Sequence, residues 1–238
     1  MMKIGILLVG RASEDLVDEY GTYAEMLIAL INTEEQVFEF KTFNILDDEF
    51  PKDHLECDGW IVTGSPHGVY EDHSWIPTVS RLINNVYEAN LPIFGVCFGH
   101  QLIAQALGGH VEKSEKGWGL GLHTYQVNNK PDYMSNLSEE VTLSICHQDQ
   151  VLRPPQGATV YAKSEFCENA GFYIKDKVLT MQAHPEFLVD FTKALLTARR
   201  DVTIPKEFVD PALVGLKNNP DSVQSNEFAK TIRQFFLA

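Results

Sequence analysis

The chain is poor in cysteine and poor in positive charge, and each shortage removes a class of function. Among 238 residues there are four cysteines, Cys57, Cys97, Cys146 and Cys167, and none stands in a CxxC or other zinc-type spacing. So few cysteines in a chain this long suit free thiols in a reducing cytoplasm rather than a disulfide framework. In that setting one specially placed cysteine becomes a candidate nucleophile. Lysine and arginine number 19 against 33 acidic residues, for a formal net charge of -14. Such a surface repels phosphate backbones, so nucleic acid is not an expected partner.

Long apolar runs are also missing. No stretch approaches the ~20 residues that span a bilayer, so no membrane partner is expected. The apolar start, Met1 to Val9, lacks the cationic region and cleavage site of a signal peptide and reads as a buried strand. There is no Walker-type loop and no glycine-rich nucleotide loop. The histidines form no cluster with metal-ligand spacing, so neither a metal nor a cofactor is expected. With no internal repeat, low-complexity tract or linker, residues 1–238 read as one domain.

What is present is an alternation of strand-like and helix-like segments. Lys3–Val9, Gln36–Phe43, Gly59–Thr63 and Leu91–Val96 read as strands, and Gly21–Asn32, Trp75–Glu88 and Gly99–Leu107 as helices. Strands alternating with helices require crossovers, hence a mainly parallel sheet flanked by helices, an α/β fold. Ligands then sit at the carboxyl ends of the strands. The middle holds strand candidates joined by short turns: His110–Lys113, Leu122–Val127, Thr142–Ile145, Thr159–Ala162, Gly171–Ile174 and Lys177–Gln182. Phe187–Arg199 reads as a helix, with Pro185 and Glu186 suited to its start. Val202–Asp221, with three prolines, reads as an irregular excursion, and Ser222–Phe236 as a closing helix.

Two segments carry chemistry. In Pro92-Ile93-Phe94-Gly95-Val96-Cys97-Phe98-Gly99-His100-Gln101 an apolar strand runs into a cysteine and a helix begins at once. This is the layout of a nucleophile elbow. Gly95 and Gly99 relieve crowding where strand and helix meet, and the helix N-terminus favours thiolate and can hold an oxyanion. His100, in the first helical turn, reads as structural. In Met181-Gln182-Ala183-His184-Pro185-Glu186 a strand ends at a histidine with an acid two residues on. A neutral imidazole can take a thiol proton while a carboxylate orients it.

Together the segments resemble the class I glutamine amidotransferase family, whose patterns Gly-x-Cys-x-Gly-x-Gln and His-Pro-Glu are both complete here. The likeness covers about residues 3–197, leaving 198–238 as a C-terminal excursion and helix. It implies a flavodoxin-like parallel sheet with a small antiparallel extension. It also implies a triad in which Cys97 attacks a γ-carbonyl, His184 shuttles the proton and Glu186 orients His184. By the same resemblance the backbone NH of Phe98 and one from the Gly64-Ser65 turn form the oxyanion hole. Gln101 lines the substrate pocket. Trp118 and Gly119, in Lys116-Gly117-Trp118-Gly119-Leu120-Gly121, lie where the family runs backbone past the substrate, Trp118 being either a pocket wall or core. His147 and Asp149, in Cys146-His147-Gln148-Asp149-Gln150-Val151, resemble a segment of GMP synthase amidotransferase portions. They are either supporting or interface groups, or members of a hydrogen-bonded turn.

The expected substrate is glutamine or a γ-glutamyl small molecule. No acceptor domain follows residue 197, so either a separate synthase subunit uses the ammonia or the chain hydrolyses γ-glutamyl bonds alone. The same glycine-rich and Cys-His-Gln-Asp segments also resemble stand-alone γ-glutamyl peptidases acting on glutathione-like peptides. A non-catalytic scaffold and a cysteine redox sensor are the alternatives from other classes. An intact triad counts against the first, and a sensor has no need of His184 and Glu186.

Overall fold

The computed structural model describes residues 1–32, 37–219 and 222–238. The first half is built from β1 (Met2–Leu8), α1 (Glu14–Tyr20), α2 (Tyr23–Ile31), β2 (Phe38–Asn44), β3 (Gly59–Val62), α3 (Trp75–Glu88), β4 (Ile93–Val96) and α4 (Phe98–Ala106). The second half holds β5 (His110–Lys113), β6 (Gly119–Val127), β7 (Glu140–His147), β8 (Asp149–Arg153), β9 (Thr159–Lys163), β10 (Gly171–Ile174) and β11 (Val178–Met181), followed by α5 (Val189–Arg199), α6 (Lys206–Asn218) and α7 (Ser225–Leu237). The start of the expected strand at Gln36 and the end of the expected excursion, residues 220–221, lie outside the described residues.

The strands form one nine-stranded sheet in the order β2-β1-β3-β4-β11-β10-β9-β6-β7, with β5 and β8 paired apart from it. β2, β1, β3, β4 and β11 run parallel. From β11 onward the pairings are antiparallel. The α/β class and parallel core are as expected, and the antiparallel extension is larger than a small appendage.

β1 shows how sequence becomes layers. Its apolar run is buried on both faces because side chains alternate with period two. Ile4, Ile6 and Leu8 face the cluster that holds residues of α2, α5 and α7. Leu7 and Val9 face the one that holds residues of α3 and α4. α3 supplies its share through Trp75, Ile76, Val79, Ile83 and Val86 at helical spacing. α2 begins on a capping box, in which Thr22 and Glu25 satisfy each other's backbone NH groups.

Four segments depart from the expectations. Residues 202–221 are not irregular throughout, because α6 occupies Lys206–Asn218 with Pro211 inside it. Pro211 is exposed, as is Glu207, whose carbonyl loses its helical partner, so the missing bond falls where solvent can replace it. Burial of Val209 and Leu216 holds the helix down. Phe187–Arg199 is helical only from Val189, so Pro185 and Glu186 form a turn ahead of the helix. α1 and β8 have no counterpart in the sequence reading. α1 is only seven residues long and buries a single side chain, Leu16.

Candidate active site

Parallel pairing brings the two chemistry-bearing segments to one edge. Met181 stands beside Val96, and Val62 beside Gly95. The residues that follow each strand, Thr63-Gly64, Cys97 and Gln182, therefore leave the sheet side by side. Cys97 sits between β4 and α4 with φ 51° and ψ -105°, a conformation L-residues rarely adopt. Its NH donates to the Met181 carbonyl at 2.8 Å. The elbow demands glycine on both sides. A Cβ on Gly95 would stand 2.6 Å from the Gly99 carbonyl group, and one on Gly99 would stand 2.1 Å from the Val62 carbonyl oxygen.

His184 is held at its backbone by a bridge to Ser144, with its NH donating to the Ser144 carbonyl at 2.9 Å. Its Nδ1 lies 2.7 Å from Glu186 Oε1. The Cys97 sulfur lies near enough to His184 to act on it electrostatically, and with Nδ1 engaged by Glu186 the nitrogen left for it is Nε2. All three residues are 4–5% exposed. Burial lowers the affinity of His184 for a proton, but the Cys97 sulfur and the Glu186 carboxylate more than reverse this, raising its pKa to about 10. Gly64 lies against the imidazole edge, where a Cβ would be 2.7 Å from His184 Cε1.

A chain of amides supports the sulfur. Gln101 Nε2 donates to the Asp149 carbonyl at 2.9 Å and to Gln182 Oε1 at 3.1 Å. Gln182 Nε2 in turn points at Cys97 Sγ, 3.6 Å away. Gln182 was not singled out from the sequence, although its place at the end of β11, two residues before His184, marks it.

Above the sulfur opens a cleft of about 240 Å³, lined in part by Ser65, Cys97, Gln101, Trp118, His147 and Asp149. Trp118 is thus a wall residue, half-buried. Gly119 does not line the cleft. It packs beneath Phe166, whose Cε1 would be 2.3 Å from an added Cβ, so its lack of a side chain serves that ring. His147 Nδ1 meets the Asp149 carbonyl at 3.1 Å, and burial lowers its pKa to about 3. Burial raises the Asp149 carboxyl, against a hydrogen bond from Tyr70. His100 faces away from the cleft lining, with Nδ1 2.8 Å from Thr180 Oγ1, and burial lowers its pKa to about 3. It is structural, as expected.

Sequence reasoning passed over two features. Arg199, the last residue of α5, lines the cleft. Its Nη1 meets Cys146 Sγ at 3.5 Å, burial raises that thiol's pKa, and no carboxylate pairs with Arg199 among the described residues. The histidines, moreover, are not all dispersed: His67, Glu71 and His73 converge at the cleft mouth.

The family model for class I glutamine amidotransferases matches residues 15–199. The chain belongs to that family. This amidotransferase-family chain is 35% identical over 189 residues to γ-glutamyl peptidase 4 of Arabidopsis thaliana, covering 76% of this chain and 74% of that one. It is 30% identical over 221 residues to γ-glutamyl peptidase 2 of the same plant, covering 90% and 86%. In fold it is similar to a glutamine amidotransferase of Thermotoga maritima, with a TM-score of 0.80 at 18% identity over 100% of this chain and 99% of that one. Among the described residues no helix is long and apolar enough to cross a membrane.

Proposed function

We propose that this chain hydrolyses the γ-amide bond of γ-glutamyl compounds through a thioester on Cys97. The observation that carries the reading is Cys97 lining an open cleft, with His184 close behind it and Glu186 hydrogen-bonded to His184. Cys97 Sγ attacks the γ-carbonyl while its proton is held on His184 Nε2. The carbonyl oxygen becomes an oxyanion held by the NH of Phe98, which opens α4 without a helical acceptor, and by an NH of the Gly64-Ser65 turn. His184 gives the proton to the leaving nitrogen as the C–N bond breaks. Water then adds to the thioester, losing a proton to His184. Collapse releases glutamate and restores the Cys97 sulfur beside protonated His184. Glu186 keeps Nδ1 protonated throughout, which leaves Nε2 to face sulfur.

Arg199 supports a substrate that carries a carboxylate. A half-buried guanidinium whose hydrogen-bond partner is a thiol and not a carboxylate is electrostatically incomplete, and a carboxylate complements it in a bidentate way. The likeness to γ-glutamyl peptidases supports hydrolysis without a synthase partner, with glutathione-like peptides as the substrate class.

Purified protein is to be offered glutamine and a panel of γ-glutamyl dipeptides, with glutamate and free amine measured and the acyl-Cys97 adduct sought by mass spectrometry. Turnover of dipeptides without any partner, lost in Cys97→Ala, is expected. Activity confined to glutamine and dependent on an added synthase would instead make the chain a glutaminase subunit. Activity that survives Cys97→Ala would overturn the thioester.

A further inference from the structure

We infer that His67, Glu71 and His73 form a binding site for one zinc-class divalent cation at the mouth of the catalytic cleft. The inference does not rest on the proposed reaction. The three residues lie in the segment between β3 and α3, the one that carries Gly64 and Ser65. Their donor atoms, one from each side chain, all fall within 4.8 Å of one another. Both imidazoles address the same carboxylate oxygen: His67 Nδ1 is 3.2 Å and His73 Nε2 2.8 Å from Glu71 Oε2.

Those separations are close to what an ion would need. Zinc bonds to nitrogen and carboxylate oxygen run about 2.0–2.2 Å, which in tetrahedral geometry sets neighbouring donors about 3.4 Å apart. Shifts of a few tenths of an ångström would bring both histidine–carboxylate separations to that value, and all three donors already lie within 4.8 Å. The donor set selects its class. Two imidazoles and one carboxylate suit zinc and its neighbours, whereas calcium and magnesium favour oxygen alone.

The donors are supported from behind, as metal ligands are. The other carboxylate oxygen, Glu71 Oε1, accepts the Gly68 NH at 2.8 Å, which orients Oε2 toward the rings. The His73 ring stacks on Trp75 at 5.9 Å and 17°. Trp75 in turn packs on Phe98, the residue after Cys97, at 5.6 Å. The His67 and His73 rings stand 4.2 Å apart. A hydrogen-bonded surface turn would need one histidine to hold the carboxylate, and here two converge on a single oxygen. Three protein donors leave a coordination position open. Because His67 and Glu71 both line the cleft, that position faces the space a substrate would enter.

The test uses the full chain carrying Cys97→Ala, so that the elbow thiol offers no competing ligand, stripped of metal by chelator dialysis. Cobalt(II) is titrated while visible absorption is followed, and zinc is counted by equilibrium dialysis. One ion per chain is expected, with a spectrum free of thiolate charge transfer. His67→Asn with His73→Asn should weaken binding by more than the 10–100-fold typical of losing a supporting group alone. His110→Asn, at a separate surface pair with Glu112, should leave it unchanged. If the double variant does not fold, Glu71→Gln together with cadmium NMR of the parent protein reports the donors directly. Substoichiometric binding, undiminished binding in the variants, or a cobalt spectrum dominated by sulfur would each overturn the site.

Discussion

The phenyl ring of Phe187 lies flat on the imidazole of His184, with centroids 3.8 Å apart and planes within 2° of parallel. The Cε1 edge of the imidazole meets Gly64, where no side chain can intrude. His184 thus has an aromatic face against one side and bare backbone at its edge, while Glu186 fixes its rotation. Positioning of this kind is worth rate, since small misplacements at a reacting centre cost heavily. Phe187→Leu keeps an apolar side chain but not the flat contact. It should lower kcat by roughly ten- to hundredfold with little change in KM, as steady-state kinetics on a γ-glutamyl dipeptide would read.

The protonation of His184 should be visible directly. The folded value of about 10 lies above an unfolded value of ~6.5. The cation therefore stabilises the fold fully below about pH 6.5, and that contribution fades as pH rises through about 10. In Glu186→Gln one of the two opposing charges is gone and burial gains ground, so the His184 titration moves toward acid. NMR of selectively labelled histidine should follow the move, and the fall in stability between pH 6.5 and 10 should flatten. A titration that does not move would show that Glu186 does not hold the proton on His184. Activity should survive Glu186→Gln better than Cys97→Ala, since the orienting acid is the more replaceable member.

Cys97 stores backbone strain, and a stability comparison should expose it. Its positive φ costs an L-residue on the order of 1–3 kcal/mol, which Cys97→Ala retains and Cys97→Gly releases. Both variants should be inactive. Despite glycine's larger unfolded-state entropy, Cys97→Gly should be the more stable by about 1 kcal/mol. Denaturant midpoints at equal m-values would check this, and a less stable glycine variant would refute stored strain.

The glycine at the other side of the elbow should behave in the opposite sense. A Cβ on Gly99 meets main chain at Val62 rather than a side chain that can swing away. Gly99→Ala should then destabilise by about 1–3 kcal/mol or more through forced backbone displacement. Gly64→Ala meets the movable His184 ring instead, and should cost more in kcat than in melting temperature.

Arg199 offers a test of substrate charge. Loss of a charge-assisted hydrogen bond in Arg199→Met should raise KM roughly ten- to hundredfold with kcat nearly kept. An equal effect on glutamine and on dipeptides would place the carboxylate on the glutamyl part. An effect on dipeptides alone would place it on the leaving part. No effect on either would remove Arg199 from recognition.

Much of this was legible in the residues. Lys3–Val9, Trp75–Glu88 and Leu91–Val96 carry periodicities that survive folding because each is buried by its immediate pattern, and the observed elements β1, α3 and β4 follow them closely. The cysteine between a strand and a helix and the His-Pro-Glu after a later strand are local patterns, and they name the family. Pro211 misled for the opposite reason: proline's local penalty was weighed, while the burial of Val209 and Leu216 that offsets it was out of sight.

Sequence by itself determined the order of elements, the elbow glycines and the three side chains proposed to react, because each depends on neighbours a few positions away. Tertiary structure alone decided that β4 pairs in parallel with β11, so that Cys97 and His184 meet. It alone placed Arg199 in the cleft, turned Gly119 under Phe166, and gathered His67, Glu71 and His73 around one oxygen. The physical reason is that hydrophobic periodicity specifies which face of an element is buried, whereas contacts between distant residues are set by sheet register and packing of the whole chain.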